Sequence, residues 1–498
     1  MKNSLEAYIL TFTIWHLPST IIVTMKYRHN IATAALTAAM AATVVACSDS
    51  YPGLEYTGNN IPLTTDESYD KTPIMAFINK QNFFSVTATR SGDSNHGTGP
   101  FTGVNNAKYE NSVFYVFAFK GQSDTETGDP DLSRSHYAIA NANGGDDDSQ
   151  YCLVDGKDYG FGYPAMLTAD YPGAFDFKNK PENSFIEEIV KDGDKPSSAQ
   201  LYYSSRWQDV GYNFFAYHID NLYYPLQYVR NKDRITYDMT IDGTQDIMCG
   251  VAPRLTAAVL ADQQDVQKSM TADERDIILN NGLYSTFAAH RGVNPVIDLK
   301  HQLTQLNFAA YPGDKESENI VLEGIVVHER THGTLTVASK NPHDPGRADY
   351  APIVYEPYGE KDSIYLAGNP GNGEKCPDFE PVTIPWKEEF ERMKTFERDS
   401  IHVGGSMMVP ESDEYLITLK FRQNKKKEDG TDDKTIYGMK ADYKVSLPSG
   451  SLFQKGHSYT ISIVVYGLEP IKVTANIEGW KEEKEDVEVV PDDVYIHD

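Results

Sequence analysis

His328-Glu329-Arg330-Thr331-His332 is a literal HExxH. On a helix that spacing puts two imidazoles on one face for a zinc ion, with the glutamate as base. The chemistry requires the helix. Here Gly324-Ile325-Val326-Val327 comes immediately before and Gly333 immediately after, so the local composition is that of a β-strand. A strand would set the two histidines about 13 Å apart along its axis, out of reach of one metal. No third ligand motif follows downstream. The expectation is a pair of strand-end surface histidines and no metalloprotease.

Other reactive-looking stretches are weaker. Asn143 to Ser149 (NGGDDDS) offers hard oxygen ligands for calcium, but lacks the alternating spacing and distal glutamate of an EF-hand. A solvated acidic loop is the simpler reading. Gly97, Gly99 and Gly103 resemble a phosphate loop in composition alone, with no Gly-Lys-Ser/Thr and helix behind them. No GxSxG occurs. Cys152, Cys249 and Cys376 lack neighbouring basic or histidine motifs that would argue for thiolate activation. Their spacing suggests no disulfide framework, although one bridge is permitted in an oxidising compartment. Tyr202-Tyr203, Trp207, Tyr212 to Tyr217 and Tyr223-Tyr224 could stack on sugars; at strand spacing such residues more often form core and cross-strand pairs. No catalytic residue, cofactor ligand or metal ligand is therefore assigned.

The residue with the most specific chemistry is Cys47. It closes the apolar run Val44-Val45-Ala46, behind Lys26, Arg28 and an alanine-rich stretch from Ile31 to Ala46. That is the three-part pattern of a secretory signal, with small residues at the cleavage point, and it is too short for a persistent membrane span. Cys47 reads as the lipid-accepting cysteine of a bacterial lipoprotein. A second apolar stretch, Tyr8 to Val23, is broken by Pro18, so Met25 is the expected true start. Each acyl CH₂ contributes about 0.8 kcal/mol of membrane affinity, giving a soluble body on a tether.

The body itself is acidic and apolar-rich. The chain carries 45 basic against 72 acidic residues, a formal net charge of −27. Loss of the leader, with Lys2, Lys26 and Arg28 against Glu6, makes it more negative. Such a surface repels nucleic acid and anionic headgroups. Hydrophobic residues at 40%, with 32 Tyr and 21 Phe, are ample for cores and atypical of disorder.

The elements that must position these residues are overwhelmingly strands. Residues 48 to 72 are polar and Gly/Pro-punctuated, the composition of a flexible stalk. Pro73 to Thr89 is apolar and ends at Arg90, ahead of a Gly-rich loop. Ser112 to Phe119 alternates around Val113, Tyr115, Phe117 and Phe119, as a half-buried strand should. Tyr212 to Tyr217, Ile247 to Val251, Val296 to Tyr311, Ile320 to Thr331 and Thr334 to Ser339 read as further strands, the last two joined by a turn at His332-Gly333. Tyr415 to Gln423 and Thr435 to Leu447 flank the charged tip NKKKEDGTDD as a hairpin. Tyr459 to Tyr466 and Ile471 to Ile477 follow. The clearest helix is Thr271 to Asn281, with a Thr271/Glu274 capping box and a Gly282 stop. The expected organisation is a signal region over 1–46, a tether over 47–72, and β-sandwich domains over 73–290 and 291–498.

Several of these stretches together resemble the Mfa-like fimbrillins, lipoprotein-derived pilins of Gram-negative anaerobes. They are YNFFAY (212–217), DIMCGV (246–251), VIDLKHQLTQLNF (296–308), GTLTVA (333–338) and the end segment from Phe453 to Trp480, in that order behind the lipobox. The 252–290 insertion and the 340–400 stretch match no part of the family. The resemblance implies a mainly β fold of two transthyretin-like β-sandwich domains in tandem with few short helices. It implies a non-catalytic pilus or adhesin subunit at the cell outer membrane, without cofactor. Its partners would be other pilin subunits, a trypsin-like processing protease, the membrane through the lipid, and a host or glycan ligand; a monomeric glycan-binding lipoprotein is the alternative. In such pilins the protease cuts after a basic residue, and the lost first strand is replaced by one from a neighbouring subunit. Here the removable strand would lie within Pro73 to Thr89 and the cut after Arg90, with Lys80 and Arg134 as rivals. Ile471 to Ile477 and Val487 to Val494 are the donor candidates.

Overall fold

The computed structural model describes residues 9–11, 24–26, 72–78, 113–121, 129–134, 151–155, 162–167, 174–177, 201–204, 207–220, 227–263, 270–346, 350–368, 378–426, 432–447, 450–466 and 472–477. The chain divides into two compact units, Met1–Gly58 and Asn59–Asp498. In the first, strands β1 (Ile9–Thr11) and β2 (Thr24–Lys26) form an antiparallel pair.

In chain order, the second unit begins with β3 (Phe77–Ile78), β4 (Phe114–Lys120), β5 (Cys152–Val154), β6 (Tyr163–Leu167) and β7 (Phe175–Asp176). Next come β8 (Tyr212–Ile219), β9 (Tyr228–Arg230), β10 (Arg234–Thr240) and β11 (Ile247–Val251). Helices α1 (Ala257–Asp262), α2 (Ala272–Asn281) and α3 (Thr286–His290) follow, then β12 (Val296–His301), β13 (Thr304–Pro312) and β14 (Ile320–Ser339). The rest is β15 (Tyr355–Tyr365), β16 (Val382–Thr383), β17 (Ile401–His402), β18 (Met407–Val409), β19 (Glu414–Lys426), β20 (Asp432–Ser446), β21 (Ser458–Val465) and β22 (Lys472–Ile477). The fold is mainly β.

Three sheets result. An eight-stranded sheet runs β3-β12-β11-β8-β4-β6-β7, with β5 on β4; a seven-stranded one runs β20-β19-β14-β10-β9, with β15 and β16 on β14; a five-stranded one runs β17-β13-β21-β22, with β18 on β13. Strand ladders cross position 290 three times, where β3 and β11 pair β12 and where β10 pairs β14.

Ser112 to Phe119 departs from its expected half-burial. All seven residues of β4 are buried. Tyr115, Phe117 and Phe119 enter a large core that also holds Tyr217, Leu306, Ile417 and Ile461, while Phe114, Val116 and Ala118 enter a second core with Phe214, Met248 and Ile297. The run FYVFAF has no polar alternate because neither face meets water; continuous apolar runs mark sheets covered on both sides.

Residues 320–339 correct a second expectation. There is no turn at His332-Gly333: β14 is one strand of 20 residues. Gly333 is small because a Cβ there would fall on the Tyr355 ring of β15, so close packing accounts for it and a chain reversal does not. Gly324 in the same strand has open space around its would-be Cβ and sits at a register shift against β19, the signature of a bulge. Val296 to Tyr311 is two strands, since the chain changes sheet at Gln302-Leu303 between β12 and β13. The hairpin β19–β20 and helix α2 agree with expectation. Thr271 Oγ1 accepts from Glu274 N, Glu274 caps Thr271 in return, and Gly282 is left-handed at φ 69°.

Candidate functional site

The HExxH lies in β14, and its two histidines project at strand spacing as the sequence implies. His328 Nε2 is 2.7 Å from Thr418 Oγ1, and His332 Nδ1 is 3.0 Å from Thr331 Oγ1. Glu329 is buried at 1% exposure, its carboxylate 2.9 Å from Lys361 Nζ on β15. The motif is thus structural: a buried carboxylate paired with an exposed lysine of the neighbouring strand and flanked by hydrogen-bonded histidines. Among the described residues no group of three or more His, Cys, Asp or Glu could hold a metal ion. Cys152 and Cys249 are buried cysteines, and burial pushes the Cys249 thiol up to about 12, which suits packing and opposes thiolate chemistry.

The aromatic stretch resolves the same way. Tyr203, Tyr212, Phe214, Phe215 and Tyr217 are essentially inaccessible. Tyr115 and Tyr217 stack at 5.2 Å, and the Tyr217 hydroxyl donates to Tyr237 Oη at 3.2 Å. These rings cannot form a sugar platform. Tyr223 and Tyr224, Cys47, Lys80, Arg90, Cys376, the acidic loop 143–149 and the donor candidate Val487 to Val494 lie outside the described residues.

One assigned segment is brought into a distinctive setting. Residues 72–78 are inserted between two backbones. On one side Tyr203 N–H donates to Thr72 O (2.9 Å), Ile74 N–H to Leu201 O (2.8 Å) and Phe175 N–H to Ala76 O (2.9 Å). On the other Phe77 N–H donates to Pro295 O (2.9 Å), and Phe77 and Ile78 pair in parallel with Val296 and Ile297 of β12. Ile74, Ala76 and Ile78, two apart, enter the core that contains Phe175, Tyr203, Phe214 and Ile297. Each buried large aliphatic side chain contributes roughly 1.5–3 kcal/mol. Withdrawing the segment would leave an apolar slot lined by unpaired N–H and C=O groups, the condition that strand addition repairs.

Arg134, the rival cut site, is disfavoured by its place in the chain. Its carbonyl accepts from Arg230 Nη2 at 2.7 Å, and a cut after it would place β4, a strand paired with β8, β5 and β6, on the removed piece.

Other built features had no motif to announce them. Asp155, fully buried, is paired with Arg230 across 75 residues. Arg398 donates to four carbonyls: Phe390 O (3.0 Å), Pro312 O (2.8 Å), Gly313 O (2.6 Å) and Met393 O (3.0 Å). This guanidinium pins the 3-10 turns at Glu388–Arg392 and Thr395–Glu397 onto the end of β13. Arg398→Ala should cost on the order of 2 kcal/mol, the scale of a hydrogen bond to a charged donor. In hydrogen exchange, protection should fall across 386–399 and persist in β19. A cleft of about 400 Å³ beside α2 is walled by Ile277, Phe287 and Asp209 together with Asn281 and Ser285. Asn281 is engaged with Asp209 O and Leu283 N, and Ser285 caps α3, so two of its polar walls already serve the backbone.

No protein-family model and no curated protein matches the sequence. Solved structures similar to it include a candidate cell adhesion protein from Bacteroides uniformis, at 9% identity and TM-score 0.36, covering 83% of this chain and 100% of that one. A second, from Bacteroides ovatus, has 12% identity and TM-score 0.35 over 83% and 99% of the two chains. The fimbrial anchor protein Mfa2 from Porphyromonas gingivalis has 12% identity and TM-score 0.28 over 82% and 98%. Likeness at this level leaves function to be argued from the chain's own geometry.

Proposed function

We propose that this chain is a fimbrillin-like surface subunit, lipidated at Cys47, that assembles by accepting a strand from a neighbouring subunit once its own N-terminal segment is removed. The observation that carries the reading is the seat of residues 72–78, a short strand hydrogen-bonded on both sides with Ile74, Ala76 and Ile78 in the core. The segment lies downstream of the lipid and upstream of Arg90, so one cut after Arg90 by a trypsin-like protease at the outer membrane would detach anchor and plug together. The incoming strand would restore both the ladder and the apolar contacts. β22 is already paired along its length with β21 in its own chain, which favours residues 487–494 as the donor. A head-to-tail contact of this kind does not close on itself and propagates a filament. The architecture that goes with this reading is a tandem pair of transthyretin-like sandwiches whose strands and cores interlock across residue 290, because β3, β10 and β11 all pair with strands beyond it. Burial of Tyr203, Tyr212, Phe214, Phe215 and Tyr217 speaks against a glycan platform built on those rings.

The purified chain should stay monomeric until treated with an arginine-specific protease. It should then give an SDS-resistant ladder whose subunits begin at Ser91, and deletion of 481–498 should abolish the ladder. Assembled or shed protein that retains Cys47 throughout would refute the reading.

A further inference from the structure

Two histidine–aspartate pairs lie where the chain passes between the sheets. Met248 of β11 is directly opposite His218 of β8 on one side and His301 of β12 on the other, so the two imidazoles share a face of the eight-stranded sheet. His301 Nδ1 is 2.7 Å from Asp246 Oδ2, and both side chains are buried. His218 Nε2 is 2.9 Å from Asp220 Oδ1, and its Nδ1 is 2.8 Å from the carbonyl of Val113 at the start of β4. The aspartates are joined by backbone: Asp220 N–H donates to Asp246 O at 3.0 Å, and Asp246 N–H to Asp220 Oδ2 at 3.3 Å.

The positions in the chain give the cluster its interest. Asp246 ends the connection from β10, in the seven-stranded sheet, to β11, in the eight-stranded one. His301 ends β12, immediately before the chain crosses to β13 in the five-stranded sheet. Gln302 N–H, donating to Ile247 O at 2.8 Å, fastens the two crossings at the same level.

Donor and acceptor roles then fix a protonation state. A carbonyl oxygen and a carboxylate oxygen only accept, so both ring nitrogens of His218 must donate, which requires the imidazolium. We propose that His218, held between Asp220 and the Val113 carbonyl beside the buried Asp246–His301 contact, is a pH-sensitive clasp that fastens the inter-sheet crossings in acid and slackens as the solution turns alkaline.

The groups around His218 agree with that direction. Burial alone would push its pKa down; the hydrogen bond and charge of Asp220, the Val113 carbonyl and the charge of Asp246 outweigh it and hold the imidazolium above its ordinary range. From β4 the neighbours are the Val113 carbonyl and the Phe114 ring, 5.1 Å away; from β12 the titratable neighbour is His301; Asp246 stands on the β10–β11 connection. A histidine raised on folding stabilises fully below its unfolded pKa of about 6.5 and loses that contribution as pH rises through the folded value. The clasp requires nothing of the assembly reading.

The test uses the full chain labelled with ¹³C-histidine. The His218 resonance, identified by its absence from His218→Gln, should titrate with a midpoint above the ordinary imidazole value. The difference in urea midpoint between wild type and His218→Gln should be widest near pH 5.5 and shrink steadily toward pH 9. Asp220→Asn, which keeps an acceptor and removes the charge, should lower the His218 midpoint and flatten the difference; it serves equally if His218→Gln fails to fold, with resonances then assigned through Asp220→Asn shifts. A His218 midpoint at or below the ordinary value, or a difference constant across the range, would overturn the clasp.

Discussion

Arg230→Ala should lower the unfolding free energy by about 3–5 kcal/mol, the scale for stripping one partner from a buried ion pair. The carboxylate left behind, Asp155, has no exposed side-chain surface, whereas Arg230 retains 11%. Both carboxylate oxygens are engaged, at 3.2 and 2.8 Å, and the same guanidinium donates to the carbonyls of Leu132 and Arg134 at 2.7 Å each while lying 5.3 Å from the Phe119 ring. Alanine would therefore strand a charge and two carbonyls at once. Lysine should not rescue it, because a single ammonium cannot reproduce the bidentate fork. Replacing both partners by apolar residues should recover much of the loss, since the desolvation cost disappears with the carboxylate. Urea denaturation of the two single variants and the double variant checks this; a loss below about 1 kcal/mol for Arg230→Ala, the level of a surface pair, would contradict it.

A comparable loss is expected from Gly250→Val, for a different reason. A Cβ at Gly250 would fall onto the backbone carbonyl of Asp298 and within 2.8 Å of Leu299 N. Side chains can rotate away from an intruding methyl; the main chain of a paired strand cannot. Overpacking of this kind costs typically 1–3 kcal/mol and more where backbone must move. Its consequence would spread to residues 77–78, because the strand displaced is β12, on which they dock. Gly324→Ala is the matched control, with nothing within 4 Å of its new methyl, and should stay within about 0.5 kcal/mol. Urea midpoints and the rate of trypsin cleavage near the N-terminal segment should separate the two variants. Equal behaviour would mean that β12 yields without cost.

Strand identity was legible wherever an apolar segment ended on a turn-former or a charge, as at Ile247 to Val251 and the β19–β20 hairpin. The α2 caps were legible because Thr271, Glu274 and Gly282 act within one turn of the chain. Errors arose where a residue's reason lay elsewhere in the fold. Gly333 looked like a turn because Tyr355, which makes it small, is more than twenty positions away. Phe114, Val116 and Ala118 could not be assigned a buried face until the second core beneath them was known. The Asp155–Arg230 and Asp246–His301 pairs are unreadable by spacing, though one signal is present: Asp246 and His301 each stand at the edge of an apolar strand, where a lone ionisable group needs a partner.

The large core holding Phe117, Tyr217, Leu306, Ile417 and Ile461 ignores the midpoint of the chain. It follows that the halves on either side of residue 290 are not interchangeable parts. A chimera joined there with a relative's second half would bring in a new partner for β10 and a new neighbour for β3 and β11, and would have to rebuild three ladders and two interiors together. Sequence drift in such a molecule should therefore be correlated across its length, with exchange tolerated at loop tips and termini and resisted at its centre.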